Sequence, residues 1–245
     1  ENKKSLLPNG WTLSPAGRSI PLGDLPLNIA VSKSKKLMAV TNNGQSVQSI
    51  QLIDPATEKI LDNVIVPKCW YGLKFSADEK YLYASGGNDN WILKYAVAKN
   101  KLVLNDSIVL GKKWPNKISP AGIDIDDAAK KLYVVTKENN SLYIVDLISK
   151  NILFKDSLSE PAYSCVLSNN KKELYISLWG GKKVLVFDIA TKKIAAQINV
   201  GENPNELLLS KNGQYLFVAC AGDNAVSVID IKQRKELEVL NAALY

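Results

Sequence analysis

Apolar and polar positions alternate in short runs along most of the chain, and no stretch keeps the spacing of an amphipathic helix. The clearest set lies near the C-terminal end: "ELLLS" (206–210), "QYLFVACA" (214–221), "AVSVIDI" (225–231) and "KELEVL" (235–240). The joints between them, "SKNG", "GDN" and "KQRK", carry the residues that hairpin turns favour. The pattern predicts four short antiparallel strands in succession.

The same arrangement returns upstream. The apolar residue and aspartate that close the third strand occur as Ile53-Asp54, Val145-Asp146, Phe187-Asp188 and Ile229-Asp230, with Tyr95-Ala96 in the same place. The second members of these pairs are separated by 42, 50, 42 and 42 residues. A second marker, the residue after the first strand, is Ser32, Ser76, Asp126, Ser168 and Ser210, with steps of 44, 50, 42 and 42. Both keep one register, and the long step coincides with an insertion at "LGKKWPNKISPAG" (110–122).

A repeat of roughly 40–45 residues holding four antiparallel strands marks a propeller blade, because one such sheet cannot bury both faces and must stand against neighbours around an axis. The expectation is an all-β chain, a β-propeller of four-stranded antiparallel blades forming one domain over 1–245. Its blades fall at about 27–66, 71–110, 122–158, 163–201 and 205–240. The stretch 10–23, "GWTLSPAGRSIPLG", reads as a further hairpin, since "RSIPLG" before Pro26 parallels "AAQINVG" before Pro204. It would bring outer strands to a closing blade. Five full blades with a closing hairpin then describe a fragment of a seven-bladed ring, preferred over six blades, able to associate through unpaired blade edges.

Composition mainly excludes. No run of apolar residues is long enough to span a membrane, and "ENKKSLLPNG" lacks the apolar core of a signal peptide, so the chain as given is soluble or already processed. It contains no histidine, which removes the commonest general base near neutral pH, the commonest transition-metal ligand and the base of an ordinary Ser or Cys triad. Cys69, Cys165 and Cys220 show no zinc spacing and read as buried apolar groups. The expectation is a protein that is not an enzyme, with no cofactor and no metal. The 31 basic and 24 acidic residues leave a charge of +7, which permits anionic partners without requiring them.

The unit 204–237, "PNELLLSKNGQYLFVACAGDNAVSVIDIKQRKEL", resembles the YVTN repeat of bacterial surface-layer and YncE-like propellers. Departures are Ala96 in place of the aspartate in blade two, "LWGGKK" for Gly-Asp-Asn in blade four and "TNNGQS" in blade one. The resemblance implies an extracytoplasmic setting, in the periplasm or at the cell surface. The stretch 7–26, "LPNGWTLSPAGRSIPLGDLP", looks like the start of larger envelope proteins in which such a propeller precedes a phosphoesterase domain. The metal-binding set of that domain is not found in this sequence.

Propeller geometry sorts side chains by rim. Loops from the outer strand to the next blade, and from second to third strand, collect Trp70, Tyr71, Trp91, Trp114, Tyr163 and Trp179, together with Asn28, Asn88, Lys137, Asn205 and Glu206. Aromatics beside amides and charges on a concave surface suit a peptide, glycan or small-molecule ligand. The opposite rim holds eighteen of the basic residues, among them Lys35, Lys171, Lys192 and Arg234. The function expected is a non-catalytic binding or scaffold module of a bacterial envelope protein. The alternatives are a nucleic-acid-binding propeller and the accessory domain of a phosphoesterase. The recurrent Asp54, Asp146, Asp188 and Asp230 read as turn-forming acceptors of backbone N–H groups.

Overall fold

The computed structural model describes residues 4–14, 17–113 and 115–242. A hairpin of β1 (Ser5–Leu6) and β2 (Thr12–Leu13) comes first. Five four-stranded antiparallel sheets follow, each built from consecutive strands. Blade one contains β3 (Pro26–Val31), β4 (Met38–Asn42), β5 (Ser49–Asp54) and β6 (Lys59–Ile65). Blade two contains β7 (Leu73–Phe75), β8 (Tyr81–Ser85), β9 (Trp91–Ala98) and β10 (Lys101–Val109), with a 3-10 turn at Gly87–Asp89. Blade three contains β11 (Pro120–Asp126), β12 (Lys131–Thr136), β13 (Ser141–Asp146) and β14 (Ile152–Ser157). Blade four contains β15 (Ala162–Leu167), β16 (Glu173–Leu178), β17 (Lys183–Asp188) and β18 (Lys193–Asn199). Blade five contains β19 (Pro204–Leu209), β20 (Tyr215–Cys220), β21 (Ala225–Asp230) and β22 (Lys235–Asn241). The first strands stand side by side, β3 by β7, β7 by β11, β11 by β15 and β15 by β19. The chain is a β-propeller of five blades.

Strand alternation decides how the blades pack. In β16, Leu174 and Ile176 face blade three, while Tyr175 faces blade five. Tyr83 and Tyr133 occupy the register position of Tyr175 in blades two and three, and all three rings are 3% exposed or less. Phe217 holds that position in blade five and is only half-buried, because among the described residues no further sheet covers it. On the other flank, Ile29 and Val31 of β3 are 57% and 54% exposed, against 5% and 3% for their counterparts Cys165 and Leu167 in β15. All three cysteines are buried free thiols, and burial pushes Cys69 up to about 12.

The hairpin expected over 10–23 lies elsewhere. Its strands are β1 and β2, Pro15 and Ala16 fall outside the described residues, and residues 17–23 form no strand. Pro21 has no N–H to give a ladder. The segment follows blade one instead: Gly23 N donates to Gln51 Oε1 at 3.1 Å, and the N–H groups of Asn43 and Gly44 donate to the carbonyls of Leu25 and Asp24.

The recurrent aspartates shape the turns after the third strands of blades one, three, four and five, blade two having Ala96 there. Asp54 Oδ1 accepts the N–H groups of Ala56 and Thr57, Asp146 those of Ile148 and Ser149, Asp188 that of Thr191 and Asp230 that of Gln233. Hydrogen bonds from Thr57, Ser149 and Thr191 hold Asp54, Asp146 and Asp188 below the usual carboxylate range.

Candidate functional site at the channel mouth

In blades one, three, four and five the innermost strand starts with a bulge against its neighbour, between Pro26 and Asn28, Pro120 and Ile123, Ala162 and Cys165, and Pro204 and Leu207. A bulge re-aims the side chains it carries. Here those residues are Leu27, Ala121-Gly122, Tyr163-Ser164 and Asn205-Glu206. Hydrogen bonds between blades fix them. Asn28 Nδ2 donates to Tyr71 O at 2.7 Å, and Ser177 Oγ donates to Asn205 O at 2.7 Å.

The result is a cavity of about 550 Å³ at the mouth, lined by Leu22, Pro26, Leu27, Asn28, Ile29, Tyr71, Tyr163, Asn205 and Glu206. It continues into a channel of about 470 Å³ between the innermost strands. Tyr71 and Tyr163 lie at equivalent positions in blades two and four, yet their ring centroids are 4.5 Å apart. The intervening blade makes this contact feasible by placing Ala121, fully buried, at the same register position. Close approach of the strands adds to it: a Cβ on Gly122 would lie 2.5 Å from Ser164 Cα. Trp179 stacks on Tyr163 at 5.3 Å and 26°, completing a row of three rings.

Polarity around the row is uneven. The Tyr71 hydroxyl is buried without a hydrogen-bond partner. Glu206 is exposed to the cavity, yet the concave wall displaces much of the water around its carboxyl and raises it to about 7. One step down the channel, Lys74 Nζ pairs with Asp124 Oδ1 at 2.8 Å.

The expected site residues therefore separate into groups. Asn28, Tyr71, Tyr163, Asn205 and Glu206 share the mouth, with Trp179 behind Tyr163. Trp70, Asn88 and Lys137 line a second pocket of about 260 Å³ with Gln48 and Lys68, where Lys137 Nζ sits 5.4 Å from the centre of the Trp70 ring. Trp91 belongs to neither, since it packs on the core between blades one and two under Lys113. Trp114 lies outside the described residues. Rim assignment passed over Lys74 and Asp124, although their shared register position on consecutive innermost strands was the signal that would have found them. Among the described residues no cluster of acids or cysteines could hold a metal ion, and no helix is long and apolar enough to cross a membrane.

No family profile matches the chain, and no curated protein matches it. The chain is similar in structure to hydrazine synthase of Kuenenia stuttgartiensis, with a TM-score of 0.69 and 18% identity. The match covers 89% of this chain and 66% of that one, so the present chain spans just under two thirds of its neighbour. Likeness at this identity speaks for the fold alone.

Proposed function

We propose that this chain is a non-catalytic recognition module, a YVTN-like propeller of a bacterial envelope protein working outside the cytoplasm, whose channel mouth binds a ligand. The observation that carries this reading is the Tyr71–Tyr163 ring pair on a concave cavity that also presents Asn28, Asn205 and Glu206, with Trp179 stacked behind Tyr163. Rings give large contact area at low entropic cost, and the few polar groups orient what they hold. The exposed Ile29 and Val31 on one flank and the half-buried Phe217 on the other fit five blades of a larger ring. Tryptophan fluorescence during titration with peptides and oligosaccharides tests the reading. A ligand should quench or shift the Trp179 signal, and Tyr163→Ala should abolish the response without unfolding the protein. Binding that ignores both Tyr163→Ala and Trp179→Ala would sink it.

A second reading rests on the lysine-bearing turns of the opposite rim, where Lys171 and Lys192 stand exposed. It makes that rim a polyanion surface. Duplex DNA would then bind with an affinity that falls steeply with salt, whereas binding that is absent or indifferent to salt removes this reading.

A further inference from the structure

We propose that the channel mouth is a site for an organic cation, a primary or quaternary ammonium group held against the Tyr71 and Tyr163 rings, which Trp179 backs by stacking on Tyr163, with Glu206 as its counter-ion. This deepens the reading of the mouth as a binding site and rests on it.

The argument begins with the register of the innermost strands. The position taken by Glu206 in β19 is Asn28 in β3, Gly72 before β7, Gly122 in β11 and Ser164 in β15. One carboxylate thus stands in an otherwise neutral tier. No lysine or arginine among the described residues forms a salt bridge with it. The acid one tier lower, Asp124, is already matched by Lys74 at 2.8 Å. The remaining charges of the channel, Lys33, Asp127 and Lys171, belong to its far end, by the turns after the first strands. Among the described residues nothing of opposite charge would meet an anionic ligand beside Glu206, while a cation would complete a pair that those residues leave open.

The aromatic row supports the same choice. Ring faces are negative and attract ammonium groups, most strongly where water is displaced. Burial pushes Tyr163 up, so its ring stays neutral over the working range. The crowding that raises Glu206 to about 7 means that a bound cation would draw it into the charged form and release a proton. The other groups facing it are Asn28 from β3, Tyr71 and Lys74 from blade two, Asp124 from β11, and Tyr163 and Ser164 from blade four. Lys74 has its charge reinforced by Asp124, which outweighs the cost of burial.

The test is calorimetric titration of the whole chain with choline chloride, with Nα-acetyl-lysine methylamide, and with N-acetylglucosamine as a neutral probe. At about pH 8 one of the cations should bind, and Glu206→Gln, an exposed and nearly isosteric change, should weaken it about tenfold. Affinity in the unaltered protein should fall severalfold between about pH 8 and pH 6, as the carboxyl takes up its proton. Binding of choline alone assigns a free quaternary ammonium, and binding of the lysine probe alone assigns a protein side chain. Sugar binding that Tyr163→Ala abolishes and Glu206→Gln spares, with no cation bound, would overturn the cation while leaving the mouth a binding site. Failure of all three probes overturns the cation assignment, and a peptide or oligosaccharide response insensitive to Tyr163→Ala and Trp179→Ala would overturn the mouth itself.

Discussion

Lys74 Nζ stands 2.8 Å from Asp124 Oδ1, and the second oxygen of that carboxylate accepts the N–H of Leu167 at 2.8 Å. One carboxylate therefore ties blades two, three and four together inside the channel. The two partners differ in surroundings: the Asp124 side chain is 5% exposed and that of Lys74 43%. Asp124→Ala strands the Leu167 donor as well as the ammonium, and should cost about 2–3 kcal/mol in urea unfolding. Lys74→Ala leaves Asp124 with the N–H groups of Ile125 and Leu167 as donors and should cost less. Because pairing raises the folded-state value of Lys74 above 10.5, its contribution is fully present below that pH and lost as pH climbs through the folded value. Asp124→Asn should flatten that alkaline loss.

The row of equivalent rings Tyr83, Tyr133, Tyr175 and Phe217 offers a comparison within one molecule. Tyr175→Ala empties a site between two blades and should cost about 3–5 kcal/mol. Phe217→Ala, on a half-covered face, should cost roughly 1 kcal/mol, since little of a cavity forms there. Equal losses in equilibrium unfolding would mean that packing against the next blade is not what sets the burial.

The turns between first and second strands test backbone strain. Lys171 adopts φ of 59° where Gly213 adopts 70° in the next blade. A side chain in this left-handed region carries a steric cost, offset in part by the larger freedom glycine loses on folding. Lys171→Gly should raise stability by about 0.5 kcal/mol and Gly213→Lys lower it by about 1 kcal/mol. Thermal melts should move by roughly 1–4 °C in opposite directions.

Acid stability should depend on the turn aspartates. Asp54, Asp146 and Asp188 are held below 3.8 in the folded chain. Their contribution is present above 3.8 and is lost as pH falls through the lower folded values. A triple Asp→Asn variant should show a shallower decline in unfolding free energy below about pH 4 than the parent, and an unchanged slope would disprove the role.

How much of this was readable in advance follows from how far each feature depends on neighbours in sequence. The blades announced themselves because period, alternation and turn residues are local, and the role of Asp54 and its counterparts follows from a turn three residues long. The hairpin was misplaced because β1 and β2 are two residues each, too short to show alternation, whereas "RSIPLG" imitates an outer strand without having a neighbour to pair with. Trp70 and Tyr71 are adjacent in sequence, yet they line different cavities. The Tyr71 to Tyr163 contact joins residues two blades apart and depends on Ala121, so nothing near either tyrosine reveals it. Lys74 and Asp124 were within reach of a comparison of register positions along the innermost strands, which grouping by rim did not make.

Ala121 has a consequence beyond its size. It does not line the cavity, yet its missing bulk is what lets two distant aromatic rings touch. Leucine in its place would wedge the rings apart and convert a continuous platform into separate patches. The shape of this mouth can therefore be retuned through a spacer that is not part of its wall, and a survey of mouth-shaping positions confined to the wall would overlook it.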